Sequence, residues 1–111
     1  MQQPLLTFSI EEEGARLLGE AAGGTGRAAK TMVNDGSLRI ILLAMTKGTA
    51  LNDHAVDGYL SVQVFRGKVG IETAGESAVL AEGNVLALPP QLVHNATATQ
   101  DAILLLTISK A

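Results

Sequence analysis

The spacing of hydrophobic and polar positions changes once along the chain, near residue 27. Before that point, Leu17 and Leu18 lie in a segment that begins with acidic residues. Ser9 followed by Glu12 has the spacing of a capping box, in which the serine hydroxyl accepts a hydrogen bond from the first helical turn. The pattern predicts one short helix, Ile10–Ala22, and the glycine cluster that follows it ends the helix.

After residue 27 the chain consists of short runs rich in Val, Ile, Leu and Thr, separated by Gly, Asn, Asp or Pro. Leu60, Val62 and Val64 alternate with less apolar positions, as in a strand with one side in a core. Residues 34–36 (Asn-Asp-Gly) predict a hairpin turn. Strands are predicted at residues 28–33, 38–46, 59–65, 69–73, 78–81, 85–88, 94–97 and 102–109. Short strands at this spacing are typical of a sandwich or small barrel, so the predicted fold class is all-β with a short N-terminal helix.

Composition narrows the chemistry that the fold can carry. The chain has 111 residues, which predicts a single domain spanning residues 1–111. It has no cysteine, which excludes disulfides, thiolate metal sites and cysteine nucleophiles. Phe8, Tyr59 and Phe65 are its only aromatic residues. A pocket in this protein is therefore expected to be lined by aliphatic side chains, without aromatic platforms on which a ligand could stack.

Charge and N-terminal sequence exclude further classes of partner. The net charge is −3, from 8 basic and 11 acidic residues, and no basic run is present, so nucleic acid is not an expected partner. The glycine cluster at residues 23–26 follows a helix and lacks the Lys-Ser/Thr end of a phosphate-binding loop, so a flexible connector is favoured. The first residues lack a basic region and a long apolar stretch, so we expect no signal peptide, no membrane partner and a cytoplasmic location.

The chain's two histidines, His54 and His94, are its candidate chemical groups. The first lies in a run that begins at Gly48 and ends at Gly67, and the second ends a run that begins at Gly83. Histidine is the commonest metal ligand in proteins and a versatile acid or base. Because the two runs are predicted to lie on strands, the fold could bring both imidazoles into one pocket. For the glycines, turn geometry is a sufficient explanation.

The first run resembles the first motif of the cupin superfamily, whose members are small jelly-roll barrels. That motif is G-x5-H-x-H-x3-E-x6-G. Gly48, His54 and Gly67 match it. Val56 stands at the position of the second histidine, and Leu60 stands at the position of the glutamate.

The second run resembles the second cupin motif, G-x5-P-x-G-x2-H-x3-N. Gly83, Pro89 and His94 match it, whereas Gln91 replaces the internal glycine and Ala98 replaces the asparagine. The resemblance covers roughly residues 37–109. It implies a cupin-like jelly-roll β-barrel with its core at residues 37–109, preceded by the helix and first strand at residues 1–36.

The resemblance also implies a metal site, but this chain departs from it at the ligand positions. Cupins typically use three imidazoles and one carboxylate to hold Fe, Mn, Ni or Zn. Only His54 and His94 remain here, because the valine and leucine that replace the other two ligands offer no lone pairs. Asp53 and Asp57 could complete a shell, yet on an ideal strand they point away from His54. Gln63 faces away from the apolar positions of its strand. A bulge near residues 57–58 would change this register.

The expected site is therefore a pocket with or without a metal. Its lining is predicted to include His54, Val56, Leu60, Val62 and His94, and the catalytic residues, if any, are not identified by the sequence. The favoured expectation is that no cofactor is bound, with His54 and His94 hydrogen-bonding to each other or to a ligand. A divalent transition metal (Fe, Mn, Ni or Zn) held by these two histidines is the alternative.

Two functions follow from these alternatives. The favoured one is a non-enzymatic small-molecule-binding or sensory cupin barrel with an unassigned ligand. The other is a metal-dependent cupin enzyme of the dioxygenase, isomerase or decarboxylase type with a reduced histidine-only site. A further alternative is that the domain is chiefly an assembly unit. A homodimer is compatible with all of these functions and is expected because apolar Leu5, Leu6 and Phe8 precede the helix and could pack on a neighbouring barrel.

Overall fold

The computed structural model describes residues 5–110 and contains one helix and nine strands in that range. The domain limits predicted at residues 1 and 111 lie outside the described residues. In chain order the elements are α1 (Ile10–Ala22), β1 (Arg27–Asp35), β2 (Leu38–Met45), β3 (Ala50–His54), β4 (Gly58–Arg66), β5 (Lys68–Glu72), β6 (Ser77–Ala81), β7 (Val85–Leu88), β8 (His94–Ala98) and β9 (Ala102–Lys110).

The strands form two antiparallel sheets. One has five strands in the order β1-β2-β9-β4-β7, and the other has four in the order β3-β8-β5-β6. Strands that are distant in sequence, such as β2 and β9, are direct neighbours, as in a jelly roll. The predicted all-β fold with a short N-terminal helix is confirmed.

The main core lies between the two sheets and is built from alternate residues of their strands. On β4, Leu60, Val62 and Val64 are buried in this core, as the alternation predicts. On β9, Leu104 and Ile108 meet them across the β4–β9 pairing. Because side chains alternate between the faces of a strand, the same strands present their remaining residues to the outside of the barrel.

The helix covers part of the outer face of the five-stranded sheet. It begins where predicted, because the Ser9 hydroxyl accepts a hydrogen bond of 3.1 Å from the Glu12 N–H and caps the first turn. Leu17 packs with Leu42 and Ile103 in a second buried cluster. The helix thus shields outward-facing apolar residues of β2 and β9 that would otherwise be exposed.

The structure differs from the predicted strands at two places. The hydrophobic pattern did not give the bounds of β3, although the run containing His54 was expected to lie on a strand, and β3 pairs with β8 along the edge of the four-stranded sheet. The first hairpin turns at Gly36-Ser37, because β1 continues to Asp35, which faces Leu38. Proline residues end β7 after Leu88, as predicted.

No helix within residues 5–110 is long and apolar enough to cross a membrane.

Candidate functional site

A cavity of about 740 Å³ opens between the two sheets near their β1 and β3 edges. Its inner wall is apolar and its rim carries charged side chains. It is lined by Thr25, Arg27, Ala28, Ala29, Arg39, Ile41, Leu43, Leu51, His54, Ala55, Val56, Asp57, Leu60, Leu106, Ile108 and Lys110. Its volume lies in the range of pockets that hold small organic molecules in proteins.

The two histidines meet at one side of this cavity. His54 ends β3, His94 begins β8, and the two residues face each other across the strand pair. Their ring centroids are 5.3 Å apart, and the rings are nearly perpendicular. Nδ1 of His94 lies 3.1 Å from the Leu92 carbonyl oxygen. Because a carbonyl can only accept, Nδ1 carries the proton in this hydrogen bond.

His54 lies in an environment that opposes its protonation. Burial lowers the pKa of His54 from its ordinary value, and the neighbouring His94 and Arg27 lower it further. Burial removes water that would stabilise an imidazolium, and a nearby positive charge repels one. His54 is therefore a neutral imidazole near pH 7, which can donate or accept a hydrogen bond at the cavity wall.

Three of the five residues predicted to line the pocket line the cavity: His54, Val56 and Leu60. Val62 is buried in the core between the sheets and is not among the lining residues. His94 is only 6% exposed and lies behind His54, so it contacts the cavity's histidine rather than the cavity itself.

Asp57 lines the cavity although an ideal strand would point it away from His54. The reason is that β3 ends at His54 and β4 begins at Gly58, so Asp57 lies in a connection where strand alternation does not apply. β3 is also irregular. The β3–β8 register shifts between Leu51 and His54, so that β3 has one more residue than β8 over this stretch. Asp53, within this irregularity, has a left-handed φ of 52°.

Gln91 holds this part of the cavity wall in place. Its backbone N–H donates to the Val56 carbonyl at 2.9 Å, and its side-chain amide donates to Asp57 Oδ1 at 3.2 Å. Gln91 has φ of 63°, a conformation that favours glycine. The residue at the position of the motif's internal glycine thus keeps a glycine-like backbone while its side chain orients the aspartate.

The donor set does not fit the four-ligand metal site of the cupin motifs. Val56 and Leu60 stand where that site would have a histidine and a glutamate, and their side chains have no donor atom. Among residues 5–110, no group of three or more His, Asp or Glu side chains is arranged to hold a metal ion. The two histidines alone would supply two ligands, fewer than the three or four protein ligands that structural and catalytic zinc sites use.

Sequence reasoning missed the basic side chains of the cavity: Arg27, Arg39 and Lys110. One signal was available for Arg39. It lies two residues before Ile41 and four before Leu43, which places it on the same face of β2 as these two cavity-lining residues. The strand register also places Lys110 on the cavity face. Arg39 pairs with Ile108 of β9, and Lys110 lies two residues further along the same face of that strand.

Comparison with solved structures gives the same fold. An RmlC-like cupin from Shewanella frigidimarina is 25% identical, with a TM-score of 0.72 over 79% of each chain. A cupin superfamily protein from Desulfitobacterium hafniense has a TM-score of 0.73 at 14% identity, over 77% of this chain and 78% of that one. Salicylate 1,2-dioxygenase from Pseudaminobacter salicylatoxidans has a TM-score of 0.79 at 22% identity. That match covers 88% of this chain but only 33% of the dioxygenase.

No protein-family model and no curated protein matches the chain by sequence. The similarity is therefore carried by the structure and extends over most of the chain, from RmlC-like cupins to a dioxygenase. The resemblance of the two histidine runs to the cupin motifs predicted the same family. Both the strand topology and the similar solved structures thus show that the chain has the jelly-roll fold of cupin proteins.

Proposed function

We propose that this chain is a non-enzymatic cupin barrel that binds a small molecule in the cavity between its sheets. The observation that carries the proposal is the cavity itself, which combines an apolar interior with convergent polar groups. Such a combination is typical of ligand sites, in which apolar walls contribute affinity and a few polar groups orient the ligand. The volume of about 740 Å³ suits an organic molecule rather than a bare ion.

The histidine arrangement supports binding rather than metal chemistry. Val56 and Leu60, whose side chains have no donor atom, line the same cavity as the neutral His54, and the proton on His94 Nδ1 is engaged with the Leu92 carbonyl. A neutral imidazole at a cavity wall is a hydrogen-bonding group that can accept from or donate to a ligand. We assign this orienting role to His54.

The test is a fragment screen observed by NMR, with one variant that fills the cavity and one that does not. Ala29 is exposed at the cavity wall, so Ala29→Trp should occupy the cavity without disturbing the core. Ala87→Trp is the matched control, because Ala87 is exposed on β7 and lies outside the cavity lining. Fragments should bind the parent chain and Ala87→Trp but not Ala29→Trp. Equal binding to all three proteins would contradict the proposal.

The second candidate is a metal-dependent enzyme with a reduced site, and the contact between His54 and His94 is the observation that favours it. The discriminating measurement is elemental analysis of the untagged protein after incubation with Fe, Mn, Ni, Cu or Zn salts. The proposed function predicts far less than one equivalent of metal. A full equivalent that is lost in both His54→Gln and His94→Gln would overturn it in favour of the enzyme.

We also propose that the barrel forms a homodimer through the segment before α1. Leu5 is 81% exposed and Leu6 is 47% exposed, which is costly for two adjacent leucines unless a partner covers them. Light scattering should give twice the 11.5 kDa mass of the chain. Leu5→Ser/Leu6→Ser should give the monomer, whereas Val79→Ser, which changes an exposed valine on β6, should not. A parent chain that is monomeric at micromolar concentration would contradict the dimer.

A further inference from the structure

The charge of the cavity is opposite in sign to that of the whole chain. The chain carries 8 basic and 11 acidic residues. Among residues 5–110, three basic residues, Arg27, Arg39 and Lys110, line the cavity, but only one acidic residue, Asp57, does so. With His54 neutral, the wall is net positive. A positive cavity wall on a negatively charged protein favours a ligand group that carries negative charge.

The two cavity arginines form no ion pair with a carboxylate of the described part of the chain. Elsewhere on the surface, Arg16 lies 3.2 Å from Glu13 and Arg66 lies 3.8 Å from Glu11. Within residues 5–110, neither Arg27 nor Arg39 has a carboxylate oxygen within 4.0 Å. Their guanidinium groups are therefore available to a ligand.

The remaining charged groups of the cavity leave this balance unchanged. Lys110 donates to Asn34 Oδ1 at 2.8 Å, and because that amide is neutral the bond orients the ammonium group without cancelling its charge. Asp57 accepts from the Gln91 amide at 3.2 Å rather than from a cavity cation.

The basic side chains lie at two ends of an apolar surface. On the five-stranded sheet, Arg27 faces Met45 at one end of the β1–β2 pair, and Arg39 faces Asn34 at the other end. Ile41 and Leu43 lie between those ends on β2 and line the cavity. The cavity therefore offers apolar contact along its length and positive charge where it ends.

We propose that the ligand is an organic anion, a carboxylate with an apolar body. This inference rests on the proposed function, because it specifies the ligand of the same cavity. The apolar body packs against the aliphatic wall, while a guanidinium fork donates to both carboxylate oxygens through parallel N–H···O bonds. A neutral ligand of the same shape lacks the attraction between opposite charges, and a cationic one is repelled by the wall.

The test uses three probes that share one body and differ in charge: naphthalene-2-carboxylate, naphthalene-2-carboxamide and naphthalen-2-ylmethylamine. Each is titrated into the nitrogen-15-labelled full chain near neutral pH and at low salt, and its Kd is taken from the shifts of cavity residues. The carboxylate should bind at least about tenfold more tightly than the amide, with the amine weakest. Added NaCl should weaken binding of the carboxylate more than binding of the amide.

Variants attribute the preference to the named side chains. Arg27→Gln/Arg39→Gln should weaken carboxylate binding to about the level of the amide, and the unchanged Kd of the amide shows that the cavity is intact. The single variants show which end of the cavity holds the carboxylate. Asp57→Asn should act in the opposite direction and tighten carboxylate binding, which mere damage to the wall would not do. Arg66→Gln, which removes a basic residue outside this cavity, should change neither Kd.

The outcomes separate this inference from the function on which it rests. Equal binding of the carboxylate and the amide, or tightest binding of the amine, would overturn the anion assignment and leave the small-molecule function standing. A preference for the carboxylate that survives in Arg27→Gln/Arg39→Gln would also overturn the assignment. Failure of all three probes to shift any cavity residue at millimolar concentration would count against both.

Discussion

The two ends of the barrel interior are built by the same strands but differ in how completely they are closed. On β2, Met45 is fully buried and Leu43 is buried, whereas Ile41 is half-buried and Arg39 is exposed. All four lie on the inner face of the strand. A single strand thus begins at the open cavity and ends in the closed core. The cavity lies where the two sheets no longer cover the inner face of this strand.

Backbone contacts between connections explain why one end is closed. Near the ends of β2 and β8, the Gly48 N–H donates to the Ala98 carbonyl at 2.8 Å, and the Ala98 N–H donates to the Thr49 carbonyl at 2.9 Å. The Lys47 N–H donates to the Asp101 carboxylate at 2.8 Å. At the open end, β1 and β3 are edge strands of different sheets, so the interior stays accessible between them.

The largest expected effect contrasts two leucines on the same face of β9. Leu104 is fully buried in the closed core, whereas Leu106 is half-buried and lines the cavity. Leu104→Ala should lower the free energy of unfolding by roughly 3 kcal/mol, because it creates a void among packed side chains. Leu106→Ala should cost about half as much or less, since its lost contacts border space that water already enters. Urea denaturation measures both, and equal costs would show that the two ends are packed alike.

A second contrast uses two glycines with the same backbone conformation. Gly67 and Gly83 both have φ of 88°, but a Cβ on Gly67 would overlap the Asp101 carbonyl, whereas one on Gly83 would meet no atom within 4 Å. Gly83→Ala should cost about 1 kcal/mol, from left-handed backbone strain alone. Gly67→Ala should cost a further ~1–3 kcal/mol, because the β4–β5 turn must move away from the closed end. Thermal unfolding of both variants checks the difference, and similar melting temperatures would contradict it.

The sequence predicted local features better than tertiary ones. The Ser9 cap set the start of α1, Pro89 ended β7, and Leu60 and Val62 revealed the core face of β4. Each of these depends on residues close together in the chain. The hydrophobic pattern did not give the bounds of β3, because residues 50–54 include Asn and Asp, which are rare in strands, and pairing with β8 overrides that preference.

The candidate site was predicted only in part, for the same physical reason. Motif spacing placed His54 and His94 side by side, and the structure has their rings in contact. The cations of the cavity were missed, because an arginine near a strand end is usually solvated, and only Arg39 left a signal, in its spacing from Ile41 and Leu43. Only the register of β1, β2 and β9 shows that Arg39 and Lys110 share a face.

The smallest expected effect tests the positive character of the open end through His54. Because the pKa of His54 is lowered in the folded chain, the unfolded chain binds more protons between that pKa and the ordinary value of 6.5. Stability therefore rises with pH across this window and falls as pH drops through the folded pKa. His54→Gln should flatten this part of the curve of melting temperature against pH. Curves that run parallel for the parent chain and His54→Gln would show that His54 keeps its ordinary pKa on folding.

Arg27→Gln separates the causes of that lowered pKa. Burial is the largest cause, and the charges of His94 and Arg27 add to it. Removing the Arg27 charge should therefore move the pKa of His54 only part of the way back, as measured by NMR titration of its imidazole. Arg66→Gln, which removes a charge outside the cavity, should leave the pKa where it is. If Arg27→Gln also left the pKa of His54 unchanged, the potential at His54 would not depend on Arg27, and burial would account for the neutral His54.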